Sequence, residues 1–156
     1  MTSLQMFLAN AVMVVTATVL FYVAINDLRE YKIRNEIVIV IVCLYGAYAF
    51  VSGEWVRAYW NVGIGLLMFA FLLIFYARGW LGGGDVKILS AGFLWAGDRY
   101  ALPFSLLLLL FSCLHVMAVK SGLMAARIVR GRTVLAFAPS VAAALIGVFV
   151  LKWSGF

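Results

Sequence analysis

Apolar residues along this chain neither alternate nor keep to one helical stripe. They come in blocks, over 4–26, 37–53, 58–77, 86–98, 101–121 and 133–152. Most blocks hold roughly the 20 residues needed to cross a hydrocarbon core of about 30 Å. In lipid every backbone polar group must be satisfied internally, so only helices and closed barrels can span. Barrel strands would alternate polar and apolar residues, and Leu106-Leu107-Leu108-Leu109-Leu110 does not. The pattern predicts an all-α polytopic membrane protein of about six transmembrane helices in one bundle, with residues 1–156 forming a single membrane-embedded domain. The fourth block is short, so it begins in the headgroup region, is covered by neighbours, or borrows residues from the glycines before it. The first block has neither a basic start nor an Ala-x-Ala site and reads as a retained helix, not a signal peptide.

Composition agrees, with 67% of residues hydrophobic and 12% charged. The net charge of +6 reports topology rather than nucleic-acid binding, because the basic residues cluster in short loops beside the apolar blocks. Arg29, Lys32, Arg34, Arg78, Lys87, Lys120, Arg127, Arg130 and Arg132 share one side, nine of the twelve, and leave Arg57, Arg99 and Lys152 for the other. The positive-inside rule puts the larger set in the cytoplasm and both termini on the non-cytoplasmic side. Trp55, Tyr59, Trp60, Trp80, Trp95, Tyr100 and Trp153 fall near block ends, as an interfacial belt would. Gly63, Gly65 and Gly46 read as close helix-packing positions. Cys43 and Cys113 lie inside blocks, without a Cys-x-x-Cys pattern, and read as small buried apolar residues.

Only six residues are acidic, so two aspartates at block ends stand out. Asp27 closes the first block and Asp85 opens the fourth, within Gly82-Gly83-Gly84-Asp85-Val86-Lys87. The loop charges put both at the cytoplasmic interface. Asp85 suits a helix N-cap as well as a catalytic role. Three preceding glycines exceed what a cap requires and would leave room for an approaching backbone. Asp27 could equally be an interfacial partner of Arg29 or Lys32. Two close carboxylates cannot both ionise cheaply; one then activates water while the other protonates a carbonyl oxygen. Lys87 is either a snorkelling anchor or a residue that tunes the pair. His115, in the fifth block, is expected away from the cytoplasmic face. No Walker-type phosphate loop and no His-Glu-x-x-His zinc motif occurs, and no metal or cofactor is expected.

Gly82-Gly83-Gly84-Asp85-Val86-Lys87 resembles the Gly-x-Gly-Asp-x-Lys motif of type IV prepilin peptidases. Asp27-Leu28-Arg29-Glu30-Tyr31-Lys32-Ile33-Arg34-Asn35 is similar to their first-aspartate segment, with Arg34 where proline is usual. Phe137-Ala138-Pro139-Ser140 resembles the element opening their last span, with Ala136 in place of a preceding proline. The resemblance implies an aspartic endopeptidase of the bacterial inner membrane with Asp27 and Asp85 as the catalytic pair. Its expected partners are membrane lipid and a prepilin or pseudopilin substrate, whose short basic leader it removes at the cytoplasmic face. The longer members carry Cys-x-x-Cys motifs, which this sequence lacks, so it resembles the short, peptidase-only branch linked to Flp/Tad pili. Archaeal preflagellin peptidases are a neighbouring alternative. Two rivals remain outside that class. A proton-coupled transporter would place its carboxylates nearer mid-bilayer, and a non-catalytic assembly factor would co-purify with partners without cutting them.

Overall fold

The computed structural model describes residues 2–31, 33–122, 127–129, 132–134 and 136–155. In chain order it contains α1 (Ser3–Glu30), α2 (Asn35–Ser52), α3 (Trp55–Ala77), α4 (Gly83–Lys120), a short antiparallel hairpin of β1 (Arg127–Val129) and β2 (Arg132–Val134), and α5 (Ala138–Trp153). Lys32, Arg130 and all of residues 123–126 lie outside the described residues. Among the described residues there are five helices, not the six expected. Four of them, α1 to α4, are long and apolar enough to cross a membrane, while α5 has 16 residues. The chain is a membrane protein.

Two features account for the difference in number. The block over 133–152 begins in β2, and its helix starts only at Ala138. The blocks over 86–98 and 101–121 belong to one element, α4, interrupted at Gly97 with φ 67° and ψ −168°. In a straight helix, residues 92 and 104 would sit about 18 Å apart along the axis. Instead a Cβ on Gly92 would meet the Phe104 ring at 2.6 Å, and the Phe93 and Phe104 ring centroids are 5.0 Å apart. The two arms of α4 therefore fold back on each other. Only glycine tolerates this backbone region, and the side chain of Asn61 fills the space a Cβ on Gly97 would need. The break frees the carbonyl of Trp95, which accepts a hydrogen bond from Lys152 Nζ at 2.6 Å.

The first arm of α4 occupies the centre. Ile88, Leu89, Ala91 and Trp95 are buried there in one cluster with Leu20 of α1, Ile41 of α2 and Val141, Ala144 and Val148 of α5. Trp95 is not an interfacial belt residue: it is fully buried, donates Nε1–H to the Ile41 carbonyl at 3.0 Å, and meets the Tyr45, Tyr48 and Phe149 rings. Trp55, Tyr59, Trp60, Trp80 and Trp153 do face outward. So do Leu102, Leu106, Leu109, Leu110 and Leu114 on the second arm of α4, an apolar exterior suited to lipid. Cys43 and Cys113 also lie on outward faces, contrary to their expected burial. Of the glycines read as packing positions, Gly65 meets Leu94 closely, whereas Gly46 and Gly63 face open space.

Candidate active site

Asp27 sits in the last full turn of α1, not beyond its end. The helix stops at Tyr31, whose left-handed backbone (φ 53°, ψ 37°) returns its N–H to the Asp27 carbonyl at 2.9 Å. The Asp27 side chain is buried, with the residue 4% exposed, and a buried carboxylate must find donors. It finds them at the start of α5. Oδ2 accepts the Ala138 N–H at 3.0 Å, and the Phe137 backbone N–H reaches the carboxylate as well.

The local sequence explains why those donors are free. Phe137, at the N-cap of α5, has no side chain able to cap. Pro139 has no N–H, and the Ser140 N–H turns back to the Phe137 carbonyl at 3.1 Å. Ala138 is left with an orphan donor of the kind that begins every helix. A carboxylate from a helix distant in sequence satisfies it, at the positive end of the α5 dipole.

Asp85 is the third residue of α4 and half-buried. Its carboxylate bends back over Gly82 and accepts that residue's backbone N–H, the reach of a capping-box acid. The capping role expected of Asp85 is therefore present. Asp85 lies within reach of the charge on Asp27. Among the described residues no hydrogen bond joins the two.

None of Gly82, Gly83 and Gly84 has a positive φ, so backbone freedom is not their use here. They make room. A Cβ would meet Asp85 Oδ2 at 2.8 Å from Gly82, the Tyr76 ring at 3.3 Å from Gly83, and Ile33 at 3.1 Å from Gly84. The space expected to be open to an incoming backbone is filled, at Gly83 and Gly84, by side chains of α3 and of the α1–α2 connection. Lys87 turns away from the pair, and its Nζ donates to Asn35 Oδ1 at 2.8 Å. The final residues of the two aspartate segments thus tie α4 to α2.

Sequence reasoning set His115 apart from this end of the bundle; the fold does the opposite. The second arm of α4 runs antiparallel to α5, since Lys152 meets Trp95 at one end and Gly147 packs on Leu107, at 2.9 Å for a Cβ, further along. From that contact, eight residues to His115 and nine back to Ala138 cover about 12 and 13.5 Å. His115 arrives level with Ala138, within electrostatic reach of Asp27. The single histidine and the Phe-Ala-Pro-Ser element were the available sequence signals. Among the described residues no three His, Cys, Asp or Glu side chains gather as metal ligands would.

A buried carboxylate held by a helix N-terminus, with a second carboxylate in electrostatic reach, can share one proton and polarise water. No characterised protein and no solved structure shows significant similarity to the chain. The family model described as the type IV leader peptidase family matches residues 14–120, which include both aspartates and both arms of α4. The chain belongs to the type IV leader peptidase family, aspartic peptidases that cleave prepilin leaders.

Proposed function

We propose that this chain is a peptidase-only member of its family, one membrane-embedded domain in the bacterial inner membrane, with Asp27 and Asp85 as its catalytic pair. It acts without a metal or organic cofactor and removes the basic leader of Flp-like prepilins at the cytoplasmic face. Both of its termini lie on the other side. The observation that supports this reading is that Asp85, at the start of α4, lies within electrostatic reach of Asp27, at the end of α1.

The reaction follows from the arrangement. The pair holds one proton. The ionised carboxylate takes a proton from water as the water oxygen bonds to the scissile carbonyl carbon. The protonated carboxyl gives its proton to the carbonyl oxygen. Collapse of the tetrahedral intermediate breaks the C–N bond: the proton taken from water passes to the leaving amine, and one hydroxyl of the intermediate returns its proton to the other carboxylate, restoring the singly protonated pair. The N–H groups of α5 keep Asp27 in one orientation throughout, a preorganisation that a free carboxylate lacks.

Cleavage of a tagged Flp-type prepilin by purified protein in liposomes tests the proposal. The wild type is expected to cut at the leader boundary, with Asp27→Asn and Asp85→Asn folded and inactive. Near-normal cutting by either folded variant would remove that residue from the mechanism. Prepilin bound but uncut by folded wild type across several substrates would favour an assembly factor.

A further inference from the structure

The far end of the bundle gathers charge of its own. Lys152 lies about 21 Å along α5 from Ala138, and so from the Asp27 carboxylate. All three basic residues that the loop charges assign to that side, Arg57, Arg99 and Lys152, line one polar cavity of about 170 Å³. Glu54 and Asp98 line it with them. The five come from α3 and its N-cap, the second arm of α4, and α5. Charges kept only for hydration would have no reason to converge from three elements.

They are not spent on one another. Arg57 and Glu54 pair at 2.9 Å. Among the described residues Arg99 and Asp98 join no ion pair. Arg99 rests over the Tyr100 ring at 5.6 Å, and Lys152 gives the Trp95 carbonyl one of its three N–H donors. Asn61, 7% exposed, lines the same cavity, and its buried Oδ1 has no hydrogen-bond partner among the described residues. A buried acceptor left without a donor is costly. The cavity therefore calls for two things at once: an anion for Arg99 and Lys152, and an N–H donor, best a cationic one, for Asp98 and Asn61.

Its mouth adds a third requirement. An open hollow lined by Trp55, Val56 and Trp60 shares Glu54, Arg57 and Asp98 with the cavity. Trp55, Val56 and Trp60 are exposed, and tryptophans of this kind mark the headgroup level of a bilayer. Gly63, one turn along α3 from Trp60, has open space where a Cβ would stand. A two-signed polar hole thus opens beside an apolar, lipid-facing shelf.

We propose that this cavity binds the headgroup of a phosphatidylethanolamine-type lipid, a phosphodiester that carries a primary ammonium. The phosphate meets Arg99 and Lys152, the ammonium meets Asp98 and Asn61 Oδ1, and the acyl chains leave over Trp60 and Gly63. The site is separate from the aspartates and does not depend on the peptidase reading. The lipid clamps α3, the second arm of α4 and α5 together beside the bend at Gly97, so adding it to delipidated protein is expected to raise the melting temperature.

Native mass spectrometry of protein released from bilayers with equal phosphatidylethanolamine, phosphatidylcholine and phosphatidylglycerol tests the site. Phosphatidylcholine keeps the phosphate and the positive charge but has no N–H; phosphatidylglycerol keeps the phosphate and has no cation. The wild type is expected to retain one phosphatidylethanolamine per chain, preferred about tenfold over either rival, the worth of one charge-assisted hydrogen bond. Arg99→Gln is expected to lose the lipid. Asp98→Asn is expected to keep a lipid but lose the preference, and Arg78→Gln, at the opposite end of α3, to match the wild type. No retained lipid, equal retention of the three headgroups, or an undiminished preference in both cavity variants would overturn the site. Soluble phosphoethanolamine separates the two sources of this chemistry. It is expected to leave the bound lipid in place, and displacement at millimolar concentration would make the free phosphate ester the ligand and overturn the lipid.

Discussion

The two ends of α5 solve the same problem in different ways. At its N-terminus an orphan backbone N–H of Ala138 meets a charged side chain from α1, Asp27. Near its C-terminus the positions are exchanged: α5 supplies the charged side chain, Lys152, to an orphan carbonyl freed by the bend at Gly97. The Lys152 end holds a single cation, at the edge of a polar cavity of about 170 Å³. The ammonium has its carbonyl acceptor and lies over the Tyr48 and Tyr100 rings at 5.6 and 5.3 Å. The Asp27 end is open. Its carboxylate keeps capacity beyond the bonds it makes, and the neighbouring group is a second carboxylate rather than a cation. One end is built to hold a bend, the other to keep an acid pair unfinished. Unneutralised charge at a membrane interface is what a hydrolytic site needs and what a structural joint avoids.

Substitutions can set the two ends against each other. The largest effect belongs to the open end. Asp27→Asn keeps an oxygen for the Ala138 N–H, so the fold is expected to survive while cleavage falls at least ~10³-fold, about 4 kcal/mol in the barrier. Circular dichroism and the cleavage assay check both halves. Gly97→Ala should do the reverse. It forces a side chain into a backbone region reserved for glycine and into Asn61, at a cost of about 3 kcal/mol or more in stability. Thermal unfolding in detergent measures that loss, and whatever fraction folds should cleave normally. A stable Gly97→Ala protein would mean that the bend is not the joint described. Lys152→Met is milder. It strands the Trp95 carbonyl and costs about 1–3 kcal/mol, seen as a lower melting temperature at unchanged kcat.

The smallest effect concerns Arg34, which stands where the family usually has proline. Its φ of −76° and ψ of 135° already suit proline, and among the described residues its N–H makes no backbone hydrogen bond. The Arg34–Glu36 pair it would lose is exposed on both sides, and such pairs contribute little. Arg34→Pro is therefore expected to raise stability by up to about 1 kcal/mol and leave cleavage unaltered. The turn keeps its shape without the proline, so the chain departs from the motif with Asp27 still in electrostatic reach of Asp85.

Much of this was legible in the residues. Block lengths announced a helical membrane protein, and scarcity of acid made Asp27 and Asp85 conspicuous. Hydropathy could not distinguish two spans from one element folded at a glycine, because Asp98-Arg99 looks like a loop in both cases. Nor could it separate a belt tryptophan from Trp95, whose burial depends on the carbonyl of Ile41 on another helix. The partner of Asp27 is a backbone N–H, which carries no letter in the sequence; only the uncapped start of α5, Phe-Ala-Pro-Ser, hinted at it. His115 was misplaced because its height in the bundle follows from antiparallel packing against α5. The glycines before Asp85 accommodate neighbouring side chains rather than a positive φ.

The central claim is that Asp27 and Asp85 work as one unit. Cleavage rates for Asp27→Asn, Asp85→Asn and the double variant, each shown to be folded, address it most directly. Groups that act as a unit are strongly non-additive, so each single variant should lose about as much as the double. Losses that multiply, or a single variant that keeps most of its activity, would contradict the pair.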